Sequence, residues 1–93
     1  MQSQRLFGCD PAKRAWLLKT RSLDLIEAAE VFMDPRRVEV IDGRRDYGET
    51  RRITIGKALG IVVTLVYTER QGTTWLITVW PANRKERARY EQG

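Results

Sequence analysis

The 93-residue chain contains no histidine and a single cysteine, Cys9. Without histidine it lacks the commonest metal ligand and the commonest general base. A Cys/His zinc site cannot be assembled from Cys9 alone, and neither a Ser-His-Asp nor a Cys-His hydrolase site can be built. One cysteine also excludes an intrachain disulfide, and with it a small secreted fold held by bridges. Cys9 reads as a small, buried or half-buried residue rather than a nucleophile. Long apolar runs are missing too. The most apolar stretch, Ile61 to Tyr67, is far short of the ~20 residues that span a bilayer. Met1 to Phe7 holds no apolar segment of signal-peptide length. These absences predict a cytoplasmic protein with no membrane partner, no metal and no cofactor.

What is present fits one folded domain over residues 1–93. Apolar residues make up 42%, with three Trp, three Tyr and two Phe, too many for a disordered chain. A chain this short buries roughly 60–65% of its unfolded surface, so its core is modest. The formal net charge is +5, and it is unevenly spread. Residues 1–35 carry five basic and five acidic side chains, whereas residues 36–93 carry twelve basic and seven acidic. An excess confined to one part of the chain points to a polyanionic partner, with plain solubility as the alternative.

Arg5 to Cys9 predicts a short first strand. Asp10-Pro11 reads as a helix start: Asp10 caps free backbone N–H groups, and Pro11 lacks a donor where none is needed. Asp24 with Glu27 predicts a second helix start, followed by Leu25, Ala28, Ala29 and Phe32 at helical spacing. Asp34-Pro35 ends that helix. Strands are expected over Arg37–Asp42, Arg51–Ile55, Ile61–Thr68 and Thr73–Trp80, with Gly56 to Gly60 closing the second and Gln71-Gly72 turning the chain. The run from Ile61 is the most apolar and belongs at the sheet centre. Asn83 and Glu86 form a capping box for a charged helix over Ala82–Glu91. Two helices followed by a meander imply an α+β fold with the helices on one sheet face.

Several clusters carry candidate chemistry. Arg44, Arg45, Arg51, Arg52 and Arg70 lie on strands and turns, where guanidinium forks suit phosphate oxygens. Arg51 and Arg52 must point to opposite faces. A charge-protected sheet edge is the alternative reading. Arg84, Arg87 and Tyr90 on the last helix would bind RNA or a partner, or simply solvate that helix. Tyr67 and Glu69 share one strand face. With arginines they would serve acid–base and electrostatic catalysis on a ribose 2′-OH, or form a surface ion pair. Trp75 and Trp80, five apart, are expected on opposite faces, one in the core and the other free for a base or an interface.

Taken in order, Asp10-Pro11-Ala12-Lys13, Glu27 to Pro35, Gly48-Glu49-Thr50-Arg51, Ile55-Gly56, Val66-Tyr67-Thr68-Glu69-Arg70 and Glu86 to Glu91 resemble the BrnT toxins of type II toxin–antitoxin systems. The resemblance runs from about Phe7 to Glu91. It implies a RelE-like fold: two N-terminal helices on a mainly antiparallel sheet of four or five strands, with a short C-terminal helix. It also implies a bacterial mRNA endoribonuclease that blocks translation on free or ribosome-associated message. A BrnA-like ribbon-helix-helix antitoxin would inhibit it, and DNA would be reached only through that partner. Carried across, Arg51, Arg70, Tyr67 and Glu69 would be catalytic. Arg44, Arg45, Arg52, Arg84, Arg87 and Tyr90 would bind RNA.

The chain departs from the usual BrnT pattern at Thr20-Arg21-Ser22, where Lys-His-Gly is common, at Leu17, where Asn is common, and at Thr78-Val79-Trp80, where Ser-Ala-Arg is common. The alternative reading is therefore a catalytically inactive module that binds an antitoxin-like partner.

Overall fold

In the computed structural model, which describes residues 5–93, a strand and two helices precede a run of four strands and a last helix. It runs β1 (Leu6–Cys9), α1 (Pro11–Arg21), a 3-10 helix η1 (Glu27–Met33), β2 (Val38–Ile41), β3 (Arg52–Ala58), β4 (Ile61–Arg70), β5 (Thr73–Pro81) and α2 (Arg84–Gln92). The first four residues of the N-terminal segment read above lie outside the described residues. The sheet has the order β1-β5-β4-β3-β2, with β4 central as its apolar sequence predicts. β1 runs parallel to β5, and the other neighbours are antiparallel. The fold is α+β with a five-stranded mixed sheet.

One expectation about the helices needs correction. The second N-terminal helix is a 3-10 helix, not an α-helix. The N-cap position falls on Ile26, not Asp24, and carries no side-chain cap bond; Asp24 instead holds the turn ahead of η1, accepting from the N–H groups of Ile26 and Glu27 at 2.9 and 3.3 Å. Threefold winding places Ala28 and Val31 on one side, and both are fully buried. The two N-terminal helices share one sheet face, as expected, and α2 takes the other. Leu17 of α1 and Ala28, Ala29 and Val31 of η1 pack with Val63, Leu65, Leu76 and Val79. Tyr90 of α2 instead packs with Ile55 and Ala82, beside Val38, Ile53 and Val62. These strand positions alternate with the first set, so α2 covers the opposite face. The two sides are called here the α1 face and the α2 face.

The α1 N-terminus forms as read: Asp10 accepts from Ala12 N–H at 3.1 Å, ahead of Pro11. The capping box of α2 is also present, with Asn83 and Glu86 each accepting the other's backbone N–H at 2.8 Å. Gly56, expected in a turn, lies inside β3. A Cβ there would sit 2.9 Å from Val31 Cγ2 and from the Arg37 Cβ, so Gly56 serves the close approach of η1 to the sheet. The reversal is made by Leu59 and Gly60, both at positive φ between the paired Ala58 and Ile61. That is the twist a two-residue hairpin needs.

The pairing of β4 with β5 steps from Val66↔Thr78 to Tyr67↔Leu76, leaving Ile77 as an extra residue. This bulge overturns the placement of the tryptophans. Trp75 pairs with Thr68 and Trp80 with Thr64, four apart on regular β4, so both indoles lie on the α2 face. One inserted residue reverses the parity of the strand beyond it.

Candidate functional site

The loop from β2 to β3 is organised around a buried carboxylate. Asp42 is 4% exposed and accepts four bonds: from Arg44 N–H at 3.1 Å, Arg44 Nε and Nη2 at 2.8 Å each, and the Tyr47 hydroxyl at 3.1 Å. The Arg44 fork, outweighing the cost of burial, holds the Asp42 carboxyl at a pKa of about 2. This fixes the Tyr47 ring, over which the Arg51 guanidinium lies at 4.1 Å and that of Arg45 at 5.4 Å.

Arg51 and Arg70 then meet at one carboxylate. Arg51 Nε donates to Glu49 Oε2 at 3.2 Å, while Arg70 donates through Nε to Oε1 at 3.2 Å and through Nη2 to Oε2 at 3.0 Å. Arg70 and Arg51 together hold the Glu49 carboxyl below its ordinary value. Arg70 also lies 5.2 Å from the Trp75 ring. A hollow of about 220 Å³ opens beside this pair, bordered by Arg51, Arg70, Trp75, Ile77 and, from the start of α1, Asp10 and Lys13. Two guanidinium groups on one carboxylate can equally grip the two free oxygens of a phosphodiester.

Tyr67 and Glu69 do not join them. Tyr67 pairs with Arg52, and both project from the α1 face. The Tyr67 hydroxyl donates to Glu39 Oε1 at 2.6 Å, and burial, reinforced by Glu39, pushes its pKa up to about 12. Its ring meets Phe32 edge-on at 4.9 Å. Glu39 also binds Arg37 at 2.7 Å and Arg52 at 3.7 Å. Glu69 accepts from Thr74 Oγ1 at 2.9 Å and pairs with Arg5 at 3.8 Å. Arg51 and Arg52 therefore take opposite faces, as strand alternation requires.

The last helix contributes differently from the expectation. Arg84 and Arg87 are exposed, and Arg87 donates to the Ala82 carbonyl at 3.1 Å. Tyr90 is buried, and its hydroxyl donates to Asp34 Oδ2 at 2.6 Å, which fastens α2 to the end of η1, where the same oxygen accepts from Lys57 N–H of β3 at 2.8 Å. Trp80 donates Nε1 to Glu86 at 3.1 Å, and the Arg44 guanidinium lies 5.9 Å from its ring. Glu49, Tyr47 and Lys13 stand at the arginine pair although the sequence expectations do not include them. The Gly48-Glu49-Thr50-Arg51 run was the available signal for Glu49.

A family model described as the ribonuclease toxin BrnT of type II toxin–antitoxin systems matches residues 9–86. No curated protein matches the chain. The match covers most of the sequence, and the chain belongs to the BrnT family. Its family role is thus that of a type II ribonuclease toxin, which implies an antitoxin partner. No helix among the described residues is long and apolar enough to cross a membrane.

Proposed function

We propose that this BrnT-family chain cleaves mRNA without a metal, at the Arg51–Arg70 pair on the α2 face. The observation that carries this reading is the convergence of both guanidinium groups on Glu49. A scissile phosphate competes for the same forks. Binding there releases Glu49, whose carboxylate then stands beside the phosphate as the base for the ribose 2′-OH. The 2′-oxygen forms its bond to phosphorus as the bond to the 5′-oxygen breaks. Glu49 keeps the proton taken from the 2′-OH, and the leaving 5′-oxygen is protonated by solvent water. Arg51 and Arg70 stabilise the extra charge on the pentavalent phosphate. The products are a 2′,3′-cyclic phosphate and a 5′-hydroxyl end.

In this reading Tyr67 and Glu69 act from the α1 face as structural groups and not in proton transfer. Arg45 and Arg44 flank the RNA, while Arg52, Arg84 and Arg87 lie outside the centre. Translation stops because message is cut, and a ribbon-helix-helix antitoxin neutralises the activity. Purified protein incubated with RNA in EDTA is the test. Cyclic-phosphate ends are expected, and Arg51→Ala with Arg70→Ala should lower the rate by at least 100-fold, the scale of losing charge stabilisation in a transition state. RNA left intact in EDTA, with the protein folded, overturns the reading.

One observation favours the second reading, an inactive module that binds an antitoxin. At position 80 the family's usual arginine is a tryptophan, with its Nε1 bound to Glu86. Arg44 reaches the same place from the loop, but its fork is occupied by Asp42. A stable antitoxin complex together with failure to cut RNA would select that reading.

A further inference from the structure

The arginine pair is one step in a longer series of rings and cations. Arg51 lies over Tyr47, and Arg70 lies near Trp75. Lys13 borders the same hollow as Trp75. From there the series continues onto α1. Lys13 Nζ is 5.1 Å from the centre of the Trp16 ring, and the Arg21 guanidinium is 5.3 Å from it. Arg21 is itself anchored to β5, donating to the Val79 carbonyl at 2.9 Å. Trp16 is 47% exposed, although burying an indole is strongly favourable. None of its contacts to Lys13 or Arg21 buries it.

We propose that Tyr47, Trp75 and Trp16, interleaved with Arg51, Arg70, Lys13 and Arg21, form one track for an extended single strand of RNA, running from the β2–β3 loop over the sheet edge onto α1. The track rests on the ribonuclease reading for its central step, but Trp16 lies outside the cleavage centre. Bases stack on aromatic rings and on guanidinium planes, while cations between them meet successive phosphates. Duplex RNA cannot use such a track, because its bases are already stacked on one another and its charge lies on the outside. An acidic peptide could match the cations, but it has no π face to offer three rings. Two carboxylates, Glu49 and Asp10, stand along the path against five cations counting Arg45. The balance stays positive.

The experiment uses the full chain and 2′-O-methyl oligoribonucleotides, which lack the 2′-hydroxyl nucleophile and so report binding alone. A ten-nucleotide strand should bind at least tenfold tighter than a four-nucleotide one, and tighter than a ten-base-pair duplex. Trp16→Ala should weaken the ten-nucleotide strand by about five- to 100-fold, the range for losing one stacked base, and leave the four-nucleotide strand unchanged. Trp16→Phe should restore most of the loss. Both variants should keep the parental melting temperature. Equal affinity for duplex and single strand, an unchanged Trp16→Ala, or full displacement by polyglutamate at equal charge overturns the track. Cleavage of a dinucleotide by parent and Trp16→Ala is read separately. If cleavage fails while length- and Trp16-dependent binding persists, the nuclease reading falls and the track stands. If cleavage persists with no Trp16 dependence of binding, the track falls alone.

Discussion

Asp42 carries the structure of the loop beside the arginine pair. Its folded pKa of about 2 lies below the ordinary 3.8, so ionised Asp42 favours the native state. That contribution is complete above pH 3.8 and is lost as pH falls from there through about 2. Asp42→Asn should cost about 2 kcal/mol at neutral pH, since a depression of about two units is worth roughly that much. Urea midpoints measured at pH 7 and pH 2.5 check this: the gap between parent and variant should narrow at the lower pH. A gap that stays constant would remove Asp42 as the source. Gly56 is the second residue where one atom decides. A methyl group there meets Val31 Cγ2 and the Arg37 Cβ at 2.9 Å, so Gly56→Ala should destabilise by about 1–3 kcal/mol through overpacking. Thermal denaturation would show a melting temperature lowered by roughly 5–20 °C. No drop would mean that η1 yields easily.

At the level of elements, local chemistry was the readable part. Asp10-Pro11 and Asn83 with Glu86 mark their helices in sequence because each cap is settled within four residues. The central place of β4 was readable because burial on both faces demands an unbroken apolar run. Three features were not readable for the opposite reason. The 3-10 winding of η1, the burial of Gly56 and the bulge at Ile77 all depend on partners distant in sequence. The bulge matters most for the site, since spacing alone put Trp75 and Trp80 on different faces. Tyr67 and Arg70 are a different case, since their separation follows from local strand alternation. Their adjacency in sequence made them look like one site, whereas strand alternation sends them to opposite sides of the sheet. The attachment of α2 offers a test at this scale. Asn83→Ala removes a cap and should cost about 1 kcal/mol. Tyr90→Phe removes the bond to Asp34 and leaves that carboxylate with the N–H groups of Lys57 and Arg36. Amide hydrogen exchange should then quicken in α2 and at the β3 edge in Tyr90→Phe. In Asn83→Ala it should quicken in α2 alone.

For the whole molecule, the charge excess from residue 36 onward has a place. Arg45, Arg51 and Arg70 gather on one side of the sheet, and α1 adds Lys13 and Arg21 from the near-neutral first part of the chain. Much of the remaining positive charge is already committed. Arg44 is bound to Asp42, and Arg37 and Arg52 to Glu39. RNA binding should therefore release counterions from a few sites and not from the full count of cations. About four or five phosphate contacts on single-stranded RNA give a slope of log K against log salt near −3. Titrations of the uncleavable ten-nucleotide strand from 50 to 300 mM salt measure it. Arg70→Ala should reduce the slope by about 0.7, the share of one phosphate contact on a single strand. Trp16→Ala should weaken binding at every salt concentration and leave the slope where it was, because stacking releases no counterions. A slope near zero would mean that the arginines remain paired with Glu49 in the complex, and would leave the rings as the sole source of affinity.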